Sequence, residues 1–173
     1  MKQRKKNIKE RLDWVACSVI GPAHKELNIP NQDAFRIYSD GKFCLAVVCD
    51  GMGSSKFGGK GAELAIKAII EAVCYWRVAE TTDISILLKM ISLFWKAKVP
   101  KNNYTDYNTT CLFVLLEEQG KCICAQLGDG VIILNLEKEK SIISSDMEFG
   151  NITTGIGSLN KISDWKVFEF EFF

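Results

Sequence analysis

The segment of this sequence best suited to chemistry is Val48-Cys49-Asp50-Gly51-Met52-Gly53, in which a carboxylate follows an apolar run and opens a loop holding five glycines in residues 51–61. A phosphate-cradling loop is the first chemistry to test. The dinucleotide fingerprint fails because the last glycine of G-x-G-x-x-G would fall on Lys56, and the P-loop fails because Gly53 to Gly58 is followed by Gly59 instead of lysine. These failures set aside a nucleotide-binding module. Asp50 would also repel a pyrophosphate. A carboxylate at the carboxyl end of a strand suits a hard cation, Mg2+ or Mn2+, whose ligands are oxygens, and the glycines would let cation and phosphate approach the backbone. A purely structural turn is the competing reading.

Asp33 starts the strand before the one that delivers Asp50, so neighbouring strands would carry both carboxylates to one sheet edge. Two carboxylates and a backbone carbonyl would form part of a binuclear site. Asp129 lies in Gly128-Asp129-Gly130, which by composition is an ordinary hairpin turn.

Composition narrows the rest. The chain has 173 residues with 22 basic and 21 acidic side chains, so no basic surplus favours nucleic acid. The one basic cluster, Met1 to Lys6, falls in a segment, residues 1–12, that precedes a single domain over residues 13–173. One histidine, His24, excludes metal sites built on two imidazoles. Seven cysteines, mostly in apolar runs, read as buried reduced thiols. Cys122 and Cys124 share one strand face, with core packing and a metal as alternatives and no second pair to complete a zinc site. Trp14 to Ile20 is too short for a signal peptide and reads as a first strand, and no run approaches a membrane span. A cytoplasmic protein without membrane or nucleic-acid partners is expected.

The elements that must position the carboxylates follow from periodicity. Strands are expected at Trp14–Ile20, Asp33–Ser39 and Lys42–Cys49, the last nearly continuously apolar and so buried on both faces, with a loop over Gly21–Asn31. Apolar residues at spacings of three and four from Ala62 to Ala79 describe an amphipathic helix, and Thr82 and Asp83 offer caps for a second one ending by Pro100. A meander of strands at Thr109–Glu117, Lys121–Leu127 and Val131–Leu136 comes next. Then come a solvated turn at Glu137–Lys140, a short strand at Ser141–Ser144, a loop over Phe149–Asn160 and an alternating strand from Trp165 to Phe173. This order argues for an α+β layered fold.

The motifs Asn31-Gln32-Asp33-Ala34, Val48 to Gly53, Gly61-Ala62, Asn108-Thr109-Thr110 and Gln126-Leu127-Gly128-Asp129-Gly130 together resemble the PPM-type, or type 2C, metal-dependent protein phosphatases. Gly21-Pro22-Ala23-His24 and Asn151-Ile152-Thr153 are similar to loops of a bacterial branch. The resemblance implies two antiparallel β-sheets packed face to face with flanking helices, incomplete here at the C-terminus. It implies two Mn2+ or Mg2+ ions and a water, activated between them, that hydrolyses phosphoserine or phosphothreonine in a phosphoprotein substrate, with a cognate serine/threonine kinase as candidate partner. Asp50 would be the bridging carboxylate, Gly51 would give its carbonyl, Asp33 would complete that shell, and Asp129 would help hold a third metal. His24 and Arg11 stand in for a phosphate-gripping arginine, with His24 otherwise a solvated or capping loop residue.

Two family motifs are missing. The one Ser-Asp-Gly, Ser39-Asp40-Gly41, is a hairpin signal ahead of the strand that delivers Asp50, no Ser/Thr-Asp-Gly or Asp-Asn occurs late in the chain, and in the family both aspartates of those late motifs are metal ligands. A phosphatase impaired by truncation and a non-catalytic relative that binds a phosphoprotein or partner therefore both stand open, and the final strand is expected to leave an unpaired edge carrying Phe168, Phe170 and Phe172.

Overall fold

Alternation along the strands decides which side of this protein is core. In the strand Phe43–Asp50, Phe43, Leu45, Val47 and Cys49 are buried, whereas Val48 and Asp50 on the other face are exposed. The computed structural model describes residues 12–100, 103–135, 140–144, 153–158 and 161–171. Its strands are β1 (Asp33–Ser39), β2 (Phe43–Asp50), β3 (Cys111–Glu117), β4 (Lys121–Leu127), β5 (Val131–Asn135), β6 (Lys140–Ser144) and β7 (Lys166–Glu171). Its helices are α1 (Pro22–Glu26), α2 (Gly58–Val78) and α3 (Ile84–Lys98).

Five strands form one sheet in the order β1-β2-β3-β4-β7, each neighbouring pair antiparallel. One face of that sheet carries the main core. Leu45, Val47, Phe113, Leu115, Ile123 and Leu127 meet Ile69, Val73, Leu87, Ile91 and Trp95 from α2 and α3. Helix α3 starts where Asp83 accepts from the Ser85 N–H at 2.8 Å. That cap satisfies one of the otherwise orphaned amide groups of the first turn. The Trp95 indole N–H reaches the Gly61 carbonyl at 3.2 Å and ties α3 to α2.

The opposite face is covered in part. The β5–β6 hairpin forms a second, two-stranded sheet, and Ile132 packs with Leu112, Cys122 and Cys124 in a small satellite core. Beside it Val48, Val131 and Ile133 stay exposed around a groove of about 510 Å³.

Several sequence expectations are corrected here. Trp14–Ile20 is not a strand: it has no ladder partner among the described residues, and Val15 and Val19 are open to solvent. A strand exists only where another backbone completes its hydrogen bonds, and apolar alternation cannot supply that partner. Within the expected loop after it, Pro22 to Glu26 form α1, with proline at a helix start where its missing N–H costs nothing. Helix α2 begins at Gly58, four residues earlier than periodicity suggests, because its first turn packs through glycines that carry no apolar signal. The three-strand meander breaks at Gly128-Asp129-Gly130: β5 leaves the sheet to pair with β6, and β7 takes the place beside β4. Phe172, Phe173 and Asn151-Ile152 lie outside the described residues.

A one-sided core has a measurable consequence. Leu45→Ala, which empties a fully buried position, is expected to cost about 3 kcal/mol in urea unfolding, while Val48→Ala on the open face costs less than about 1 kcal/mol. Equal losses at the two positions would contradict this layering.

Candidate metal centre

Asp33 and Asp50 are register partners across the antiparallel β1–β2 pair, so period-two alternation sends both side chains to the same, open face. The backbone of Asp50 is held on both sides. Its N–H donates to Thr110 Oγ1 at 2.9 Å, and its carbonyl accepts from the Thr110 N–H at 2.9 Å and the Thr109 hydroxyl at 2.8 Å. Asp33 is held by a local turn in which Asn31 Oδ1 accepts the Asp33 N–H at 3.0 Å. The Asn31 amide in turn donates to Ser18 Oγ at 2.6 Å, and that hydroxyl donates to Asp33 Oδ2 at 3.3 Å.

Gly51 follows where the chain must pass directly beneath the start of α2. A Cβ at this position would sit 2.3 Å from the Gly58 carbonyl carbon, so only glycine fits. The Gly51 N–H donates to the Gln32 carbonyl at 3.2 Å, and Met52 N–H to the Asn108 carbonyl at 3.0 Å, which fixes the loop leaving Asp50.

A cleft of about 420 Å³ opens over these residues, lined by Asp50, Met52, Asn108, Thr110, Asp129 and Thr153. Asp129 is thus brought to the same cleft as Asp50, and the Thr153 hydroxyl donates to Asp129 Oδ2. Asp50 carries the electrostatic signature of this crowding. Loss of hydration, a hydrogen bond to Asp33, and the negative charges of Asp33 and Asp129 push its carboxyl up to about 6, with His24 opposing the rise. His24 therefore acts on the cleft electrostatically, from α1. Arg11 lies outside the described residues.

Carboxylates forced together are a hard-oxygen donor set, and a divalent cation would relieve their repulsion. That chemistry fits Asp33, Asp50 and the Gly51 carbonyl. Among the described residues, however, no three Asp, Glu, His or Cys side chains converge tightly enough to enclose a cation by themselves.

Five of the seven cysteines are buried and all seven are free; Cys122 and Cys124 are fully buried with their sulfurs 3.8 Å apart, and Cys49 hydrogen-bonds to Cys111 in the core, which with burial pushes its thiol well up.

Asn108 and Gln126 stand in the sequence motifs with no task assigned to either. Asn108 Oδ1 accepts from the Thr109 and Gly157 N–H groups at 3.1 and 2.7 Å, and its amide donates to Ser158 Oγ at 2.8 Å. It staples the 153–158 loop to the strand end that holds Asp50. In the sequence only its place directly before two threonines and an apolar strand marks it, and that place does not disclose its partners.

The family model described as protein phosphatase 2C matches residues 20–171. The chain belongs to the protein phosphatase 2C family. Solved structures agree on the fold. A bacterial serine phosphatase is 19% identical with a TM-score of 0.61, the alignment covering 82% of this chain and 68% of that one. Serine/threonine phosphatase Stp1 from Staphylococcus aureus is 21% identical with a TM-score of 0.56, covering 82% and 66%. RsbX, solved in complex with magnesium, is 17% identical with a TM-score of 0.56, covering 82% and 60%. The phosphatase domain of SpoIIE from Bacillus subtilis, solved with a fragment of its regulatory domain, is 15% identical with a TM-score of 0.53, covering 81% and 36%. The chain thus spans between about a third and two thirds of the length of these neighbours. No curated protein matches the sequence.

The raised Asp50 carboxyl gives a pH test. Between its ordinary value near 3.9 and about 6, the folded protein holds a proton that the unfolded chain releases, so this group's contribution to stability falls as pH rises through that window. Asp50→Asn is expected to raise the Tm of the cation-free protein at pH 7.5, with the gain gone by about pH 4. A variant that melts lower at both pH values would contradict the crowded-carboxylate account.

Proposed function

We propose that this protein phosphatase 2C domain hydrolyses phosphoserine or phosphothreonine in proteins, using divalent cations, Mn2+ or Mg2+, held at Asp33, Asp50 and the Gly51 carbonyl. The observation that carries the reading is the Asp33–Asp50 pair, directly opposed on the open sheet face with Asp50 pushed up to about 6. Bound there, the cations would screen phosphate charge and acidify a water for attack on phosphorus.

The chain's own residues set the geometry for that attack. Thr109 and Thr110 hold the Asp50 backbone while the Asn31–Ser18 bridge holds Asp33, so the two carboxylates keep one spacing as a phosphate enters. Asp129 would hold a further cation across the cleft. His24, with Arg11, would meet the phosphate oxygens as a counter-charge. A phosphoserine protein is the substrate and a serine/threonine kinase acting on the same protein the partner class. Seven free thiols suit a reducing, cytoplasmic setting, and none of the described helices is long and apolar enough to cross a membrane.

One observation favours a second reading. Because no three ligating side chains converge among the described residues, the 173-residue chain would serve as a non-catalytic module that binds a phosphoprotein or another partner through the same cleft.

Hydrolysis of p-nitrophenyl phosphate and of a phosphothreonine peptide with and without Mn2+ separates the two. The catalytic reading expects Mn2+-dependent turnover that falls at least about 100-fold in Asp50→Asn, the loss of more than 2.7 kcal/mol of transition-state stabilisation. Turnover that is absent, or equal in Asp50→Asn, supports the binding module instead.

A further inference from the structure

Gln126 is an anomaly of the second face. It sits 1% exposed in β4, at a position where its neighbours on the same face, Cys122 and Cys124, are buried and apolar in character. Its amide nitrogen donates to two carbonyls at once, Gly128 at 2.9 Å and Gly130 at 2.9 Å, which flank Asp129. Its carbonyl oxygen, in contrast, is buried with no hydrogen-bond partner among the described residues. An unmet buried acceptor is costly, and an apolar side chain here would avoid it. The amide is therefore kept for what its nitrogen holds.

What it holds is an uncommon turn. Gly128 has φ of +85°, and a Cβ there would lie 2.4 Å from the Thr154 carbonyl, so this loop is pressed against the 153–158 segment. From that segment the Thr153 hydroxyl reaches back to Asp129 Oδ2. Gln126 thus fixes the backbone on either side of Asp129 while Thr153 fixes its carboxylate, in the cleft that Asp50 also lines. The same clamp turns the chain out of the main sheet, since β5 pairs with β6 and not with β4.

We propose that Gln126 and Thr153 are positioning residues that hold the Asp129 carboxylate toward the Asp50 cleft, where the proposed function gives it a further cation. This inference rests on the metal-dependent reading above and assigns two residues within it. Neither Gln126 nor Thr153 is placed as a ligand. Groups that orient ligands commonly change metal affinity by 10–100-fold when removed, which sets the expected scale.

Mn2+ titration followed by the electron paramagnetic resonance signal of free aqueous Mn2+ tests this without any activity readout. The intact protein is expected to show a tighter and a weaker class of site, the weaker lost in Asp129→Asn. Gln126→Met and Thr153→Val are each expected to weaken that class about tenfold and leave the tighter class unchanged, while Thr153→Ser, which keeps the hydroxyl, restores wild-type affinity. Thr153 is only half-buried, so its variants test the idea even if Gln126→Met folds poorly. Wild-type affinity in Thr153→Val, or a weaker class that survives Asp129→Asn, would overturn the assignment. Loss of neither class in Asp50→Asn would instead overturn the reading of the Asp33–Asp50 pair as a metal site.

Discussion

Two aspartates set directly across an antiparallel strand pair are an electrostatic burden, because like charges at that spacing repel and the sheet supplies no counter-charge between them. Everything around the pair is arranged to hold it in place regardless. Thr109 and Thr110 grip the Asp50 backbone from β3's leading end, Asn31 closes a turn onto Asp33, and Gly51 lets the chain slip under α2 immediately afterwards. A proton on Asp50 relieves the repulsion below about pH 6, and in the function proposed above a divalent cation would relieve it at higher pH.

The one-sided core makes this arrangement possible. With α2 and α3 packed against one face, Phe43, Leu45, Val47 and Cys49 anchor β2 and leave the alternate positions facing outward. Asp50 lies on that outward set because it is one residue beyond a buried Cys49. A one-residue slip of the β1–β2 register would move the carboxylates out of opposition, so the hydrophobic alternation of β2 indirectly sets the electrostatics of the cleft.

Much of this was legible in the sequence, and the failures are instructive. β1 and β4 are legible as short strand-like runs and the Asp83 cap announces α3, whereas the nearly continuous apolar run Lys42–Cys49 reads as buried on both faces and is buried chiefly on one, with Val48 open to solvent because no second layer covers it. Trp14–Ile20 has the alternation of a strand without a partner, a property no local pattern reports. Gly128-Asp129-Gly130 has the composition of a hairpin yet marks the point where the chain leaves the sheet, because the deciding contacts come from Gln126 and from residues 153–154, distant in sequence. That Asp33 and Asp50 share one sheet edge was legible from their positions at strand ends. The tasks of the amides Asn108 and Gln126 were not, since most of their partners are brought close only by folding.

The account turns on whether Asp33 and Asp50 together hold a divalent cation, and anomalous diffraction from crystals grown with Mn2+ reads this most directly. It predicts a manganese peak within coordinating distance of both the Asp33 and Asp50 carboxylates. Crystals saturated with Mn2+ that show no peak there, or a peak contacting neither aspartate, would contradict it.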